Sequence, residues 1–219
     1  MGFSAKTALP SRSEKRRDAK RDVILAGAKS IFLSSGFEGA SMDAVAARAG
    51  VSKMTVYRHY GSKEALFAGV IADLCERIVD DDLDQVFKRT PREALAAFAR
   101  KMIEITFARE TIELHRIVVA ESHRFPKLGR LFYSSGPEAC IAALEAYFAR
   151  NKQDPRFRVP NPRRAAEEFL ELLRGYAHLR VMLGMEKSPS AREIDTRIEG
   201  AIRHVLVSPT SVRRPQETA

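Results

Sequence analysis

Apolar residues recur every three or four positions along most of the chain, and the alternation of β-branched residues that marks a sheet is absent from the sequence. This periodicity predicts an all-α protein of about nine helices. Seven of them are expected near residues 18–34, 42–49, 52–59, 62–78, 110–122, 126–151 and 162–183, and the other two begin near residues 90 and 190.

Short sequence signals fix several of these boundaries. Residues 90–93 (Thr-Pro-Arg-Glu) and 190–193 (Ser-Ala-Arg-Glu) have the form of a capping box, in which each end satisfies a backbone N–H of the other. Gly136-Pro137 lies inside the predicted 126–151 helix and is expected to kink or break it. Residues 154–160 contain two prolines, so they are predicted to form a long loop.

Residues 46–56 (Ala-Ala-Arg-Ala-Gly-Val-Ser-Lys-Met-Thr-Val) are typical of two short helices that cross at a steep angle. Ala46 is small enough for the crossing, and Gly50 suits a left-handed backbone in the turn. Val51 and Val56 are expected to fill a small core, and Ser52 to cap the second helix. The pattern predicts a helix-turn-helix, which places one helix in the major groove of DNA.

The positive charge of the chain is concentrated at its front. The 219 residues include 37 Lys and Arg against 28 Asp and Glu, a net charge of +9. Residues 1–63 hold 12 basic and 5 acidic side chains, an excess of seven, and all later residues together have an excess of only two. This distribution favours a front segment that meets phosphate and a rear segment with another role.

Residues 51–67 (Val-Ser-Lys-Met-Thr-Val-Tyr-Arg-His-Tyr-Gly-Ser-Lys-Glu-Ala-Leu-Phe) resemble the signature that closes the DNA-binding domain of TetR-family repressors, and the likeness extends over about residues 18–72. The resemblance implies a homodimeric repressor that binds a palindromic operator and releases it when a small molecule enters the C-terminal domain. It also implies that Lys53, Met54, Thr55 and Tyr57 approach base edges, that Ser41, His59, Tyr60 and Lys63 bind phosphates, and that Ser52 and Arg58 complete the interface.

Alternative roles are open for some of these side chains. Tyr57 and Tyr60 could pack into the small core instead, and His59 could simply be solvated. The basic residues 12–17 could follow the DNA backbone, enter the minor groove or stay unbound.

Residues 116–128 (Arg-Ile-Val-Val-Ala-Glu-Ser-His-Arg-Phe-Pro-Lys-Leu) further resemble the C-terminal domain of the AefR-like branch of that family. The resemblance implies a ligand cavity among the fifth to eighth predicted helices. No fixed charge is recognisable among the candidate lining residues, so a hydrophobic or aromatic effector is expected. The candidates combine apolar bulk with a few polar tips: Phe98, Met102, Phe107, His115, Phe132, Tyr147 and Tyr176.

The last two predicted helices are strongly apolar along one face, which is either core or an interface. The resemblance favours an antiparallel pair that meets its twofold mate in a four-helix dimer interface. The predicted interface residues are Phe169, Leu170, Leu173, Tyr176 and Ala177 on one helix and Ile194, Ile198, Ala201, Ile202 and Val205 on the other.

Four parts follow from these observations. We expect a disordered basic tail at residues 1–16, a TetR-type helix-turn-helix DNA-binding domain at residues 17–62, and a helical ligand-binding and dimerisation domain at residues 63–207. Residues 208–219 are expected to form a loose tail.

Other classes of protein have little support in the sequence. There is no catalytic constellation and no metal-ligand spacing, so no enzymatic activity, metal or cofactor is expected. Cys75 and Cys140 lie far apart within apolar helical patterns and are expected to be reduced core thiols. No secretory signal and no apolar run of about 18 residues is present, which favours a cytoplasmic protein that joins the nucleoid when bound to DNA.

Two alternatives to a ligand-responsive repressor are open. The first is a nonspecific or architectural DNA-binding protein, which would prefer no palindrome. The second is a regulator that senses a protein partner, for which a sealed or absent cavity would be the sign.

Overall fold

A computed structural model of the chain describes residues 12–76 and 83–207. These residues form an all-α protein whose helices confirm the predicted fold class. The helices are α1 (Arg12–Gly39), α2 (Met42–Ala49), α3 (Lys53–Tyr60), α4 (Lys63–Glu76), α5 (Leu83–Val86), α6 (Pro91–Thr106), α7 (Arg109–Glu121), α8 (Pro126–Ser135), α9 (Pro137–Arg150), α10 (Pro162–Met182) and α11 (Ala191–Val205).

Each of the nine predicted helices has a counterpart among these elements. The predicted 126–151 helix is divided at Gly136 into α8 and α9, because Pro137 starts a new helix and cannot donate to the preceding turn. The remaining addition is α5, a single turn of four residues. Both predicted capping boxes form, at Thr90–Glu93 and at Ser190–Glu193.

The start of α1 differs from the prediction. We expected disorder through residue 16, but the helix begins at Arg12. Residues 12–16 are Arg, Ser, Glu, Lys and Arg, most of which are good helix formers, and extending an existing helix costs far less than starting one. Residues 1–11 and the predicted tail at 208–219 lie outside the described residues.

The chain divides into two compact units within α4, after Val70. Three phenylalanines hold the N-terminal unit together, and each is fully buried. The ring centroid of Phe32 lies 5.0 Å from that of Phe67 and 6.0 Å from that of Phe37, and Phe37 and Phe67 are 5.7 Å apart. Gly36, with φ 70°, interrupts α1 beside this cluster, two residues after the predicted end of the first helix at residue 34.

The C-terminal unit is built around α10, which packs against α6, α7, α9 and α11. Phe169, Leu173 and Ala177 of α10 are fully buried in its core. The predicted loop at residues 154–160 is present and is tied to the end of α11. Its Arg158 N–H donates to the Val205 carbonyl at 2.8 Å, and Phe157, 8% exposed, joins the core.

Candidate nucleic-acid interface and ligand cavity

The turn between α2 and α3 has the geometry that the sequence predicts. Gly50 adopts a left-handed backbone with φ 65° and ψ 32°. The Val51 N–H donates to the Ala46 carbonyl at 3.1 Å, which closes the end of α2. Ser52 then caps α3, since its hydroxyl oxygen accepts from the Thr55 N–H at 3.2 Å. The turn therefore fixes where the first residues of α3 point.

Burial on one side of α3 leaves the opposite side open. Val56 is fully buried in the small core. Met54 is 75% exposed and Tyr57 is 41% exposed, and Lys53 and Arg58 are exposed on the same side of the helix. Positions 53, 54, 57 and 58 are neighbours on a helical surface. This exposed surface, formed by Lys53, Met54, Tyr57 and Arg58, is called the α3 face below.

Lys53 is held in place by contacts within the N-terminal unit. Its Nζ lies 2.8 Å from Oδ1 of Asp43 on α2, and 5.9 Å from the centroid of the Tyr57 ring. The hydrogen bond to Asp43 and the attraction of its charge raise the pKa of Lys53, which stays protonated at neutral pH. A nucleic acid that uses this ammonium competes with Asp43 for it.

Several other predicted contact residues have roles inside the helix-turn-helix. The hydroxyl of Ser41 caps α2 by accepting from the Ala44 N–H at 3.1 Å. The hydroxyl of Thr55 lies 2.8 Å from that of Ser52, within the cap of α3. His59 and Tyr60 are half-buried, with ring centroids 6.3 Å apart. The Tyr60 ring fills the space above Gly69, where a Cβ would come within 2.7 Å of it.

Lys63 differs most from its predicted role as a phosphate ligand. Its Nζ donates to the carbonyls of Glu38 and Ala40, each at 3.0 Å, and lies 4.7 Å from the centroid of the Phe37 ring. The ammonium therefore ties the first residue of α4 to the end of α1 and to the segment that follows it. Its predicted contact with DNA stays a prediction, beside a structural role that the sequence did not indicate.

The C-terminal unit contains a cavity of about 320 Å³. It is about twice the size of the roughly 150 Å³ engineered cavity that binds benzene, so it accommodates a two-ring molecule. Its wall is mostly apolar, with a few polar tips. The lining residues are Ile71, Leu74, Met102, Ile105, Thr106, Thr111, His115, Gly129, Phe132, Tyr133, Gly136, Pro137, Cys140, Arg174 and His178.

Three of the seven predicted lining residues, Met102, His115 and Phe132, do line this cavity. The other four lie elsewhere. Phe98 and Tyr147 are buried in the core, where the Tyr147 ring stacks on Phe87 at 4.3 Å, and Phe107 packs edge-on against His178. Tyr176 is 79% exposed on the surface. Large aromatic side chains fill space in a core, which is why they are poor indicators of where space is left.

The cavity also holds a fixed charge, contrary to the prediction. The Nε of Arg174 is shielded from solvent and has no hydrogen-bond partner among the described residues, and the hydroxyl of Thr111 is in the same situation. His115 and His178 lie beside each other, with ring centroids 5.2 Å apart. Burial, together with the charges of His115 and Arg174, lowers the pKa of His178 to about 4, and burial lowers the pKa of His115 as well.

The predicted dimer residues lie mostly inside the protomer, which differs from the prediction. Phe169, Leu170, Leu173, Ala177, Ile198, Ala201, Ile202 and Val205 are at most 2% exposed and belong to the core of the chain itself. Ile194 packs against that core and is half-buried. The apolar face that the sequence shows is therefore covered by α6, α9 and the facing helix of the same chain.

A second apolar surface of α10 is exposed. Leu172, Tyr176, Leu179 and Leu183 are between 42% and 79% exposed and are spaced three or four residues apart. Leu172 precedes Gly175, where the backbone of α10 is non-helical (φ 46°, ψ −160°), Tyr176 and Leu179 follow it, and Leu183 is the C-cap of the helix. These four residues are called the α10 stripe below.

No described helix is long and apolar enough to cross a membrane. Within residues 12–76 and 83–207, no three His, Cys, Asp or Glu side chains gather as a metal-binding group. Cys140 is a buried thiol, and the side chain of Cys75 lies outside the described part of the chain.

A capped helix-turn-helix with an exposed second helix, followed by a helical unit that encloses a cavity, defines a DNA-binding transcriptional regulator. The comparisons agree. The family model of the C-terminal domain of AefR-like transcriptional repressors matches residues 93–208, and that of bacterial regulatory proteins of the tetR family matches residues 24–70. The chain belongs to the TetR family of transcriptional regulators, with a C-terminal domain of the AefR-like type.

Individual relatives support the same assignment. The structure of the flavonoid-responsive regulator FrrA is 36% identical, with a TM-score of 0.66, and the match covers 85% of this chain and 95% of FrrA. The repressor AcnR of Corynebacterium efficiens is 24% identical over 195 residues, which is 89% of this chain and 93% of AcnR. The activator FasR of Mycolicibacterium smegmatis is 38% identical over 63 residues, only 29% of either chain.

The structural role of Lys63 can be separated from a phosphate contact. We expect Lys63→Met to lower the free energy of unfolding of the N-terminal unit by about 1–2 kcal/mol, because the carbonyls of Glu38 and Ala40 lose their charged donor. Lys53→Met is the control, since the Lys53–Asp43 ion pair is exposed and contributes little to stability. Native-state hydrogen exchange of the amides in α1 and α2 measures both. Unchanged protection, with a salt slope of DNA binding reduced by about one, would assign Lys63 to phosphate instead.

The buried histidine makes the C-terminal unit sensitive to acid. Unfolded His178 takes up a proton near pH 6.5, whereas the folded protein binds that proton only near pH 4. The unfolded state is therefore favoured as the pH falls from about 6.5 to about 4, and stability is lost over that interval. NMR titration of the His178 ring should give a midpoint near 4. A midpoint near the ordinary value would show that the ring is solvated. His178→Gln should flatten the decline in stability.

Proposed function

We propose that the protein is a repressor that binds a palindromic operator as a dimer and is released from it by a small aromatic or hydrophobic molecule. The observation that carries the DNA-binding part is the α3 face. Lys53 and Arg58 offer donors for guanine or phosphate, and Met54 and Tyr57 offer apolar contact for a thymine methyl group. Together these four side chains provide hydrogen bonds and apolar contacts, the two kinds of interaction by which proteins read base edges in the major groove.

The structure changes which residues we propose as base readers. Thr55 was expected to reach base edges, but its hydroxyl lies in the cap of α3 at 2.8 Å from Ser52. Met54, by contrast, is 75% exposed. We therefore assign sequence preference to Met54 and Tyr57, with Lys53 and Arg58 as charged contacts, and leave Thr55 a role in the cap.

One helix of eight residues contacts only a few base pairs, so a second copy is required for specificity. Regulators of this family act as dimers, and the α10 stripe is our proposed contact surface. Four large apolar side chains exposed along one helix are unfavourable in water. A twofold axis beside α10 would bring each stripe against its own copy. Of the residues that the sequence predicted for the interface, Tyr176 alone belongs to this stripe.

The cavity supports a small-molecule effector rather than a protein partner. Its volume of about 320 Å³ and mostly apolar wall are those of a small-molecule site. FrrA, the relative with 36% identity, is described as responsive to flavonoids, which are planar aromatic molecules. Ile71 and Leu74 of α4 line the cavity. We infer that a bound ligand displaces α7 against α4, the helix that begins at Lys63, and so reorients the recognition helices of the dimer.

Selection of binding sites from random DNA tests the DNA-binding proposal. We expect an inverted repeat whose half-sites are centred about 10 base pairs apart or more. Met54→Ala should weaken binding to the selected site by about fivefold to tenfold and relax preference at particular base pairs. Met185→Ala is the matched control, because Met185 is 69% exposed but lies in the C-terminal unit. Enrichment of no palindrome would favour the nonspecific or architectural alternative.

If the α10 stripe forms the dimer interface, a charge introduced into it should separate the dimer into monomers. Leu179→Glu should raise the dimer dissociation constant by at least about a hundredfold, because a twofold interface buries the new charge twice. Light scattering should then give a mass that falls to the 24.5 kDa of one chain. Val119→Glu, which alters another exposed apolar residue, on α7, should leave the dimer intact. A dimer that resists Leu179→Glu would place the interface elsewhere.

A further inference from the structure

The polar groups of the cavity wall do not match a purely apolar ligand. Arg174 and Thr111 both line the cavity. The Nε of Arg174 and the hydroxyl of Thr111 are shielded from solvent, and neither has a hydrogen-bond partner among the described residues. Buried donors without acceptors are costly, and most buried polar groups in proteins are satisfied. Because both residues line the cavity, a molecule bound there could supply the missing acceptors once these side chains turn toward it.

The ion-pair partner of Arg174 is a carboxylate that does not line the cavity. Its Nη1 lies 3.3 Å from Oε1 of Glu171, whose side chain is 70% exposed. An ion pair so open to water is weak. By contrast, the fifteen residues that line the cavity include no Asp or Glu. Arg174 therefore brings a positive charge to a mostly apolar wall that holds no carboxylate.

His115 and His178 also line the cavity, and neither adds charge to its wall at neutral pH. His115 stacks on the Phe132 ring at 4.9 Å and lies 5.2 Å from His178, which in turn packs against Phe107. Both rings are neutral at pH 7, since their pKa values are lowered. A neutral imidazole donates one hydrogen bond and accepts one. Arg174 is then the single fixed charge among the lining residues.

We propose that the cavity binds an amphipathic monoanion, whose charged oxygen accepts hydrogen bonds from Arg174 and Thr111 while its apolar body lies against Met102, Ile105 and Phe132. This inference rests on the proposed role of the C-terminal unit as a ligand sensor and adds the charge of the ligand. One cation matches one negative charge, and an apolar wall disfavours a compact dianion such as phosphate. The volume of the cavity suits a body of about two rings.

A pair of probes that differ in charge but hardly in shape tests the proposal. 2-Naphthoate is anionic at pH 7, and 2-naphthamide is its neutral counterpart. Calorimetric titration of the full-length wild-type protein should show naphthoate binding at least about tenfold more tightly than naphthamide. That ratio corresponds to about 1.4 kcal/mol. Equal affinities, tighter binding of naphthamide, or no binding of either probe would overturn the proposal.

Variants test whether Arg174 causes the expected preference for naphthoate over naphthamide. Arg174→Gln should weaken naphthoate binding by at least about tenfold and change naphthamide binding by less than about twofold. Arg180→Gln is the matched control, because Arg180 lies on the same helix, its side chain is 32% exposed, and it does not line the cavity. Thermal melts check that both variants fold. A naphthoate preference that persists in Arg174→Gln would contradict the assignment.

Operator binding separates this proposal from the proposed function. Fluorescence anisotropy with the selected operator is measured while each probe is present at saturation. If naphthamide binds as tightly as naphthoate and weakens operator binding, ligand release stands and the anion site fails. If naphthoate is preferred but operator affinity is unchanged, the anion site stands and ligand release fails.

Discussion

A helix can bury only the sides that neighbouring elements cover, and α10 has apolar or functional residues on three of its sides. Phe169, Leu173 and Ala177 are covered by the core of the same chain. Arg174 and His178, four residues apart, reach the cavity. The α10 stripe lies on the third side and is exposed. The proposed sensor and the proposed dimer surface therefore follow from how one helix is partitioned among three environments.

Several polar side chains of the N-terminal unit stabilise its structure and also lie where DNA is proposed to bind. Ser41 and Ser52 cap helices, Lys53 pairs with Asp43, and Lys63 binds two carbonyls. These contacts already order, in the unbound protein, the segments that a nucleic acid would contact. An interface ordered in advance loses less conformational entropy on binding. Lys53 also has to leave Asp43 to use its full charge on DNA, so its contribution to affinity is reduced by that competition.

Local signals in the sequence predicted local structure well. Gly50, the two capping boxes and Gly136-Pro137 each act within a few residues, and the structure has the expected feature at every one of them. The side of a helix that meets solvent is a tertiary property. The periodicity of α10 and α11 identified an apolar face, but it could not show that the same chain covers that face.

The residues that line the cavity could not be predicted from the sequence for a related reason. A cavity persists where residues are too small to fill it, and Gly129, Gly136, Pro137, Thr111 and Cys140 line this one. Phe98 and Tyr147 were chosen for their bulk, which placed them in the core instead. Arg174 has the spacing of an ordinary surface ion pair with Glu171, three residues before it. Nothing local to the sequence shows that Arg174 lines a cavity or that its Nε is shielded from solvent.

The empty cavity and the occupied cavity respond to acid in opposite directions. Protonation of His115 and His178 adds positive charge beside Arg174, which destabilises the folded protein while no anion is present. A bound monoanion would offset that charge and make protonation of the same rings more favourable. By linkage, binding that favours protonation is itself strengthened as the pH falls. Acid should therefore weaken the unliganded C-terminal unit, chiefly because protonation charges two buried rings, and tighten its hold on an anionic ligand, because the added positive charge attracts the anion.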